Sequence, residues 1–285
     1  MASGTATIRQ MAIFAVKKTP QDFSALGEPT ATSSSTFTSA VNLSFTVDGT
    51  AEYLILASCS VTKDETGTNT ETKLTDGTTD YGLAQHRVTT AEVDDGAPDG
   101  ELLPWGIIAK ASLTGAQSWD IMFRSITSGS SVIRIPTIIA MRTDLFRRIY
   151  YSESLGTSTN ATGLFQDKVT LTDIPAAFNH VIISNSHITN NTATNSTKAR
   201  VLQDATTILE AQNEPAVLNS VVQNPVFTVS RKTLSSVSTT WKTQWARATA
   251  LGTTTISNSN IAVLQLEDSA TVWIKGANIL GATIL

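Results

Sequence analysis

Three histidines (His86, His180 and His187), one cysteine (Cys59) and a run of carboxylates at Glu92, Asp94, Asp95, Asp99 and Glu101 are the side chains that invite a search for chemistry. A metal centre needs three or four such ligands converging on one point. His180 and His187 are seven residues apart, an odd interval. On an unbroken strand they point to opposite faces and cannot share an ion. The carboxylate run includes Gly96, Pro98 and Gly100, and calcium takes several oxygen ligands from a loop of this kind. Its spacing does not fit an EF-hand, so it reads as a solvated acidic loop. Cys59 lies inside an apolar run and reads as a small buried thiol. A single cysteine allows no intrachain disulfide, which suits a reducing compartment. The nucleophile elbow, P-loop, HExxH and CxxC patterns do not occur. No catalytic residue, cofactor-binding residue or metal ligand is therefore assigned, no cofactor is expected, and the chain is not expected to be an enzyme.

The background supports this. Only 15% of the 285 residues are charged, where about 25% is usual, and Ser and Thr together make up about a quarter of the chain. Thr favours strands, while Ser, Asn and Gly suit turns. Net charge is −4 and the pI near 5.4, which argues against nucleic acid as a partner, since phosphate recognition needs clustered Lys and Arg. The densest basic run, residues 142–148, is interrupted by Asp144 and reads as a solvated interdomain segment. No stretch approaches the ~20 apolar residues of a membrane span. Residues 11–16 are too short and wrongly flanked, by Lys17 and Lys18, for a signal peptide.

The elements that must carry these residues occur twice. Tyr53-Leu54-Ile55-Leu56-Ala57-Ser58 returns as His180-Val181-Ile182-Ile183-Ser184-Asn185. Leu74-Thr75-Asp76 returns as Leu202-Gln203-Asp204, and Ser118-Trp119-Asp120-Ile121-Met122-Phe123 as Thr240-Trp241-Lys242-Thr243-Gln244-Trp245. Ile138-Ile139-Ala140 returns as Ala262-Val263-Leu264. One order at a nearly constant offset indicates a duplicated domain. Trp119, Ile121 and Phe123 alternate with polar residues, as do Trp241, Thr243 and Trp245, so each set marks a core face. As core residues, these Trp side chains are not free to stack on sugars. Residues 53–57 and 181–183 are continuously apolar, as expected of central strands covered on both faces.

Further strands are expected at 43–47, 105–109, 132–135, 138–141, 169–171, 226–229 and 261–266, with turns at 63–69, 94–100, 127–131, 190–196 and 253–260. The best helical window is only 205–211. The expectation is an all-β chain of two tandem, duplicated β-sandwich or jelly-roll-like domains with extended terminal segments. Residues 1–30 form an N-terminal arm, 31–146 the first sandwich, 147–154 a linker or strand, 155–268 the second sandwich, and 269–285 a C-terminal strand or arm. Ile13-Phe14-Ala15-Val16 precedes the first copy as Ile149-Tyr150-Tyr151 precedes the second, and Val272-Trp273-Ile274 either ends the second sandwich or pairs with a neighbouring subunit.

In composition, duplicated all-β architecture and terminal arms, the chain resembles virion structural proteins of tailed bacteriophages, and among them capsid decoration, or cement, proteins. The resemblance implies a protein bound to the capsid exterior after assembly in the host cytoplasm, with the major capsid protein or other virion proteins as partners. It also implies a homo-oligomer, commonly a trimer. A tail, fibre or baseplate component is the nearest alternative, and a tandem carbohydrate-binding module a more distant one.

Overall fold

Alternation of apolar and hydroxylic residues dictates strands almost everywhere, and the computed structural model, which describes residues 22–65, 69–87, 103–174, 180–192, 197–213, 222–223, 226–230, 239–248 and 252–265, contains seventeen of them. The first unit comprises β1 (Phe23–Leu26), β2 (Thr30–Thr32), β3 (Thr38–Lys63), β4 (Asn69–Thr75), β5 (Asp80–Arg87), β6 (Leu103–Ser125) and β7 (Ser131–Arg142). A 3-10 turn at Thr143–Leu145 leads to the second unit. That unit comprises β8 (Arg148–Ser154), β9 (Ser158–Asn160), β10 (Gln166–Ile174), β11 (His180–Asn190), β12 (Thr197–Gln203), β13 (Thr206–Asn213), β14 (Val222–Gln223), β15 (Val226–Ser230), β16 (Thr239–Arg247) and β17 (Thr254–Gln265).

In the first unit the strands pair in the order β1-β7-β3-β6-β4-β5, with β2 also on β7. Strands β3 and β6 are long enough to serve two layers. Residues 50–61 of β3 pair with 103–114 of β6, and residues 38–47 pair with 115–123. The register shifts between Val47 and Thr50, beside Gly49 and Gly115, both at positive φ, so the long ribbon can turn over. A back sheet (β1/β2, β7, the second half of β3, the first half of β6) thus packs on a front sheet (the first half of β3, the second half of β6, β4, β5). Rings from the two layers meet: Phe23 stacks on Phe45 at 4.4 Å, and Phe45 lies 5.6 Å from Tyr53.

The second unit repeats this order strand for strand. Its back sheet is β8/β9-β17-β11-β14/β15 and its front sheet β10-β16-β12-β13. Four strands per layer in this order is the jelly-roll arrangement. The correspondence reaches single residues: a bulge between Ser39 and Val41 in β3 recurs between Asp167 and Val169 in β10. Each unit has its own interior, with Trp119, Ile121 and Phe123 in the first and Trp241 and Val201 in the second.

The back sheets then pack on each other. Leu54, Ile108, Met141 and Phe146 meet Val181, Ile183, Ala262 and Leu264, with Leu56, Ile139, Ile149 and Tyr151 at the margin. Leu54 and Val181, Leu56 and Ile183, and Met141 and Leu264 are equivalent positions, so one face serves in both copies. The continuously apolar strands are therefore covered on both sides.

Several boundaries differ from the sequence expectation. Residues 23–26 and Thr30 are not arm: they pair with β7 more than 100 residues away, a partner no local pattern reveals. Residues 148–154, read from sequence as a linker or strand, form the first strand of the second unit, paired with β17. The counterpart of Tyr150 is Phe23, since both pair with equivalent residues of the last strand, and not the 13–16 segment, which lies outside the described residues. Residues 205–211 fall almost wholly in strand β13, where pairing with β12 overrides weak helical propensity. Residues 254–260 belong to β17 rather than a turn. Register also sets Ile138 against Ile261 and not Ala262, and such a one-residue slip would reverse every side chain.

Ile135 adopts a φ of 51°, a conformation costly for a β-branched residue and tolerated by Asn. Ile135→Asn is expected to raise the unfolding free energy by about 1 kcal/mol, read from the denaturant midpoint. Trp119→Ala, which empties a fully buried site, is expected to lower it by about 3–5 kcal/mol.

Candidate functional site

Next to the apolar contact, the seam between the units turns polar. On β11, the face that carries Val181 and Ile183 continues with Asn185 and His187, and on β17 Asn258 and Asn260 stand opposite them. Tyr151 and Glu153 project from β8 beside Asn260. The first unit contributes the backbone of β6: Gly106 O accepts from Asn185 Nδ2 at 2.5 Å and lies 3.0 Å from His187 Nε2. The Tyr151 hydroxyl has two acceptors in reach for its proton, Glu153 Oε2 at 2.6 Å and Ile108 O at 3.0 Å. Asn260 Nδ2 donates to Tyr151 Oη (3.2 Å) and Glu153 Oε2 (3.3 Å).

His187 is fully buried, and its surroundings assign its tautomer. Nε2–H donates to Gly106 O, while Nδ1 faces Asn258 Nδ2 at 3.3 Å and accepts from it. Burial pulls its pKa down to about 4, with the bond to Gly106 opposing. His86, on β5, is 1% exposed, and neither ring nitrogen has a hydrogen-bond partner among the described residues. Burial first, and then the nearby His187, lower its pKa to about 3. Burial, followed by the bond to Glu153, raises that of Tyr151. At neutral pH both rings are neutral and the Tyr151 hydroxyl keeps its proton. What the cluster supplies is orientation: side chains of the second unit grip bare backbone of the first.

His180 stands on the opposite face of β11 from His187, on the side of Ile182. Cys59 is buried in the first core, and burial pushes its thiol pKa up. Among the described residues no three His, Cys, Asp or Glu side chains converge on a possible metal position. The carboxylates at 92, 94, 95, 99 and 101, and Val272-Trp273-Ile274, lie outside the described residues. Asn185, Asn258, Asn260 and Tyr151 carry the seam without having been singled out from sequence; the signal that could have found them was amides recurring at every second position beside an apolar strand. Lys63, expected at a turn, is buried instead, its Nζ donating to Asn69 O, Ser125 Oγ (2.7 Å) and Thr127 Oγ1 and so tying two turns together.

The front sheets face away from the seam and repeat a different device. Phe37 lies under Lys73 (4.4 Å) and Arg124 (4.6 Å), and Phe165, at the equivalent position, lies 3.8 Å under Arg200. Around them are hydroxyls, amides and ion pairs: Ser39 and Asn42 on Asp120, and Lys242 on Asp167.

No protein-family model matches this chain, and no curated protein does. Solved structures with a similar course of chain include dimeric latent PorU from Porphyromonas gingivalis at 14% identity and a TM-score of 0.33, over 85% of this chain and 20% of that one. The infectious bursal disease virus VP2 subviral particle matches at 10% identity and a TM-score of 0.33, over 86% of this chain and 68% of that one. The triple-jelly-roll turret protein of an archaeal virus matches at 10% and 0.22, over 84% and 60%. The chain spans about a fifth of the length of PorU. The jelly-roll assignment rests on the strand pairing itself.

The two buried rings make the seam acid-sensitive. Unfolded histidines take up protons as pH falls through 6.5, while folded His187 and His86 resist until about 4 and 3. Stability is therefore full above pH 6.5 and declines below it, with His187 accounting for on the order of 3 kcal/mol. His187→Gln, which keeps a donor for Gly106, is expected to shrink that acid loss by a comparable amount, measured by chemical unfolding at pH 7 and pH 4.

Proposed function

We propose that this chain is a non-enzymatic structural component of a virion, and more narrowly a decoration protein that binds the outside of a bacteriophage capsid and stabilises the shell. The carrying observation is the fusion of two jelly rolls back to back through a continuous seam, which leaves two hydroxyl-rich front sheets directed outward. Jelly rolls build viral capsid and lectin domains alike. A two-sided block suits bridging between neighbouring subunits, because two weak contacts on one rigid body become avid. Binding only to the assembled shell stabilises that shell by mass action. The partners in this reading are the major capsid protein or other virion proteins, and the chain acts as a homo-oligomer, with a trimer as the working expectation. For a carbohydrate-binding module, stacking faces are needed on the outer sheets, where Phe37 and Phe165 are already under cations.

The terminal segments are the proposed clamps. Deletion of residues 1–21 is expected to leave the melting temperature within a few degrees of the full chain and to abolish co-sedimentation with heads. Deletion of residues 1–29 also removes β1 and the Asp22 acceptor of the Arg142 N–H, and is expected to destabilise the first unit. Electron microscopy of native particles locates the chain. Density on the head surface supports the reading, density on tails transfers it to a tail, fibre or baseplate component, and absence from particles ends it.

A further inference from the structure

We propose that the open end of the first unit's back sheet, centred on Ile135 and Leu26, is a self-association surface that receives a second copy of this chain. The duplication supplies the argument, and it holds whichever particle the protein serves. The pair Ser58 and Thr137 corresponds to Asn185 and Asn260, Leu26 corresponds to Glu153, and Ile135 corresponds to Asn258. In the second unit the β11 and β17 positions of this end are covered, although Glu153 at the rim is exposed: β6 of the first unit lies across them, and Asn258 and Asn260 are 8% and 0% exposed. In the first unit no described residue covers the same end, with Ile135 66% and Leu26 72% exposed and Ser24 and Ser58 exposed beside them.

The chemistry runs opposite to the burial. The covered end is built of Asn and His, whereas the uncovered end displays Leu and Ile. Ile135 moreover keeps a left-handed backbone conformation that an Asn would occupy at less cost, and strain retained at an exposed apolar residue points to a use for it. The surface is continuous with the seam already formed: Leu56 and Ile139, at the margin of the seam cluster, are the next residues along the same face from Ser58 and Thr137.

What this face accepts within the chain is the edge of a jelly-roll back sheet. β6 is engaged in the seam, where β14 already lies against it, and the remaining part of its counterpart edge in the second unit is β15, where Phe227 pairs with Ile183 as Ile108 pairs with Leu56. A second copy docking by that edge makes a head-to-tail contact, which closes into a ring or extends as a filament.

Sedimentation velocity on the full-length protein over a concentration series tests this. The wild type is expected to associate. The double variant Leu26→Glu, Ile135→Asn, which installs the second unit's own residues, is expected to associate at least tenfold more weakly with an unchanged or raised melting temperature. Ser58→Arg, on the same face, gives the same loss, while Leu164→Glu, at a remote exposed leucine, leaves association intact. A wild type that stays monomeric to its solubility limit overturns the proposal, as does a double variant that associates like the wild type. Amide protection at residues 135–137 in a monomeric wild type also overturns it, by showing that the chain covers this surface with its own residues.

Discussion

Burial of residues 53–57 of β3 and of β11 on both faces is the constraint on which the rest of the molecule depends. Ile55 and Ile182 point into their own jelly rolls, while Leu54 and Val181, their immediate neighbours, point into the seam. Covering one aliphatic side chain contributes about 1.5–3 kcal/mol. A strand apolar on both sides therefore cannot be satisfied by a single sandwich. Each unit completes its interior with its own front sheet and completes its exterior with the other unit. The two halves are one packing problem, and their relative placement follows from it.

The polar end of the seam adds direction to that packing. Apolar surfaces tolerate sliding, but buried amides do not, because an unpaired one forfeits its hydration without compensation. Asn185 and His187 converge on one carbonyl, Gly106 O, and Tyr151 lies against Ile108 O. Backbone carbonyls occur at fixed intervals along β6, so these bonds set where the second unit rests on it. A neutral histidine fits the position because it donates to Gly106 and accepts from Asn258, an arrangement that protonation of Nδ1 breaks.

Duplication has left the two copies alike in path and unlike in exposure. Both keep the bulge in the third-strand position and an aromatic ring beneath a cation on the front sheet. They differ where the seam is offset, the second unit's face being covered at an end where the first unit's is open. One surface is used twice, filled in the second unit and left uncovered by the described residues in the first, which is the basis of the proposed self-association. The virion reading draws on the same architecture, two outward sheets on one block.

Much of this was legible in the sequence. Strand periodicity is a local property, so the all-β class, the duplication, the core aromatics Trp119 and Trp241 and the double-sided burial of residues 53–57 could be read from neighbouring residues alone. Strand partners are not local. β1 and β8 became strands because β7 and β17 pair with them from afar, and residues 254–260, rich in Ser and Asn, became a central strand because β11 lies alongside. The seam was beyond reach for the same reason: its amides look like turn formers until two sheets bring them against the backbone of β6. Composition and alternation determined which residues are inside; only the tertiary structure decided which of two faces meets which partner, because hydrogen bonds and packing between distant segments of the chain leave no periodic trace in it.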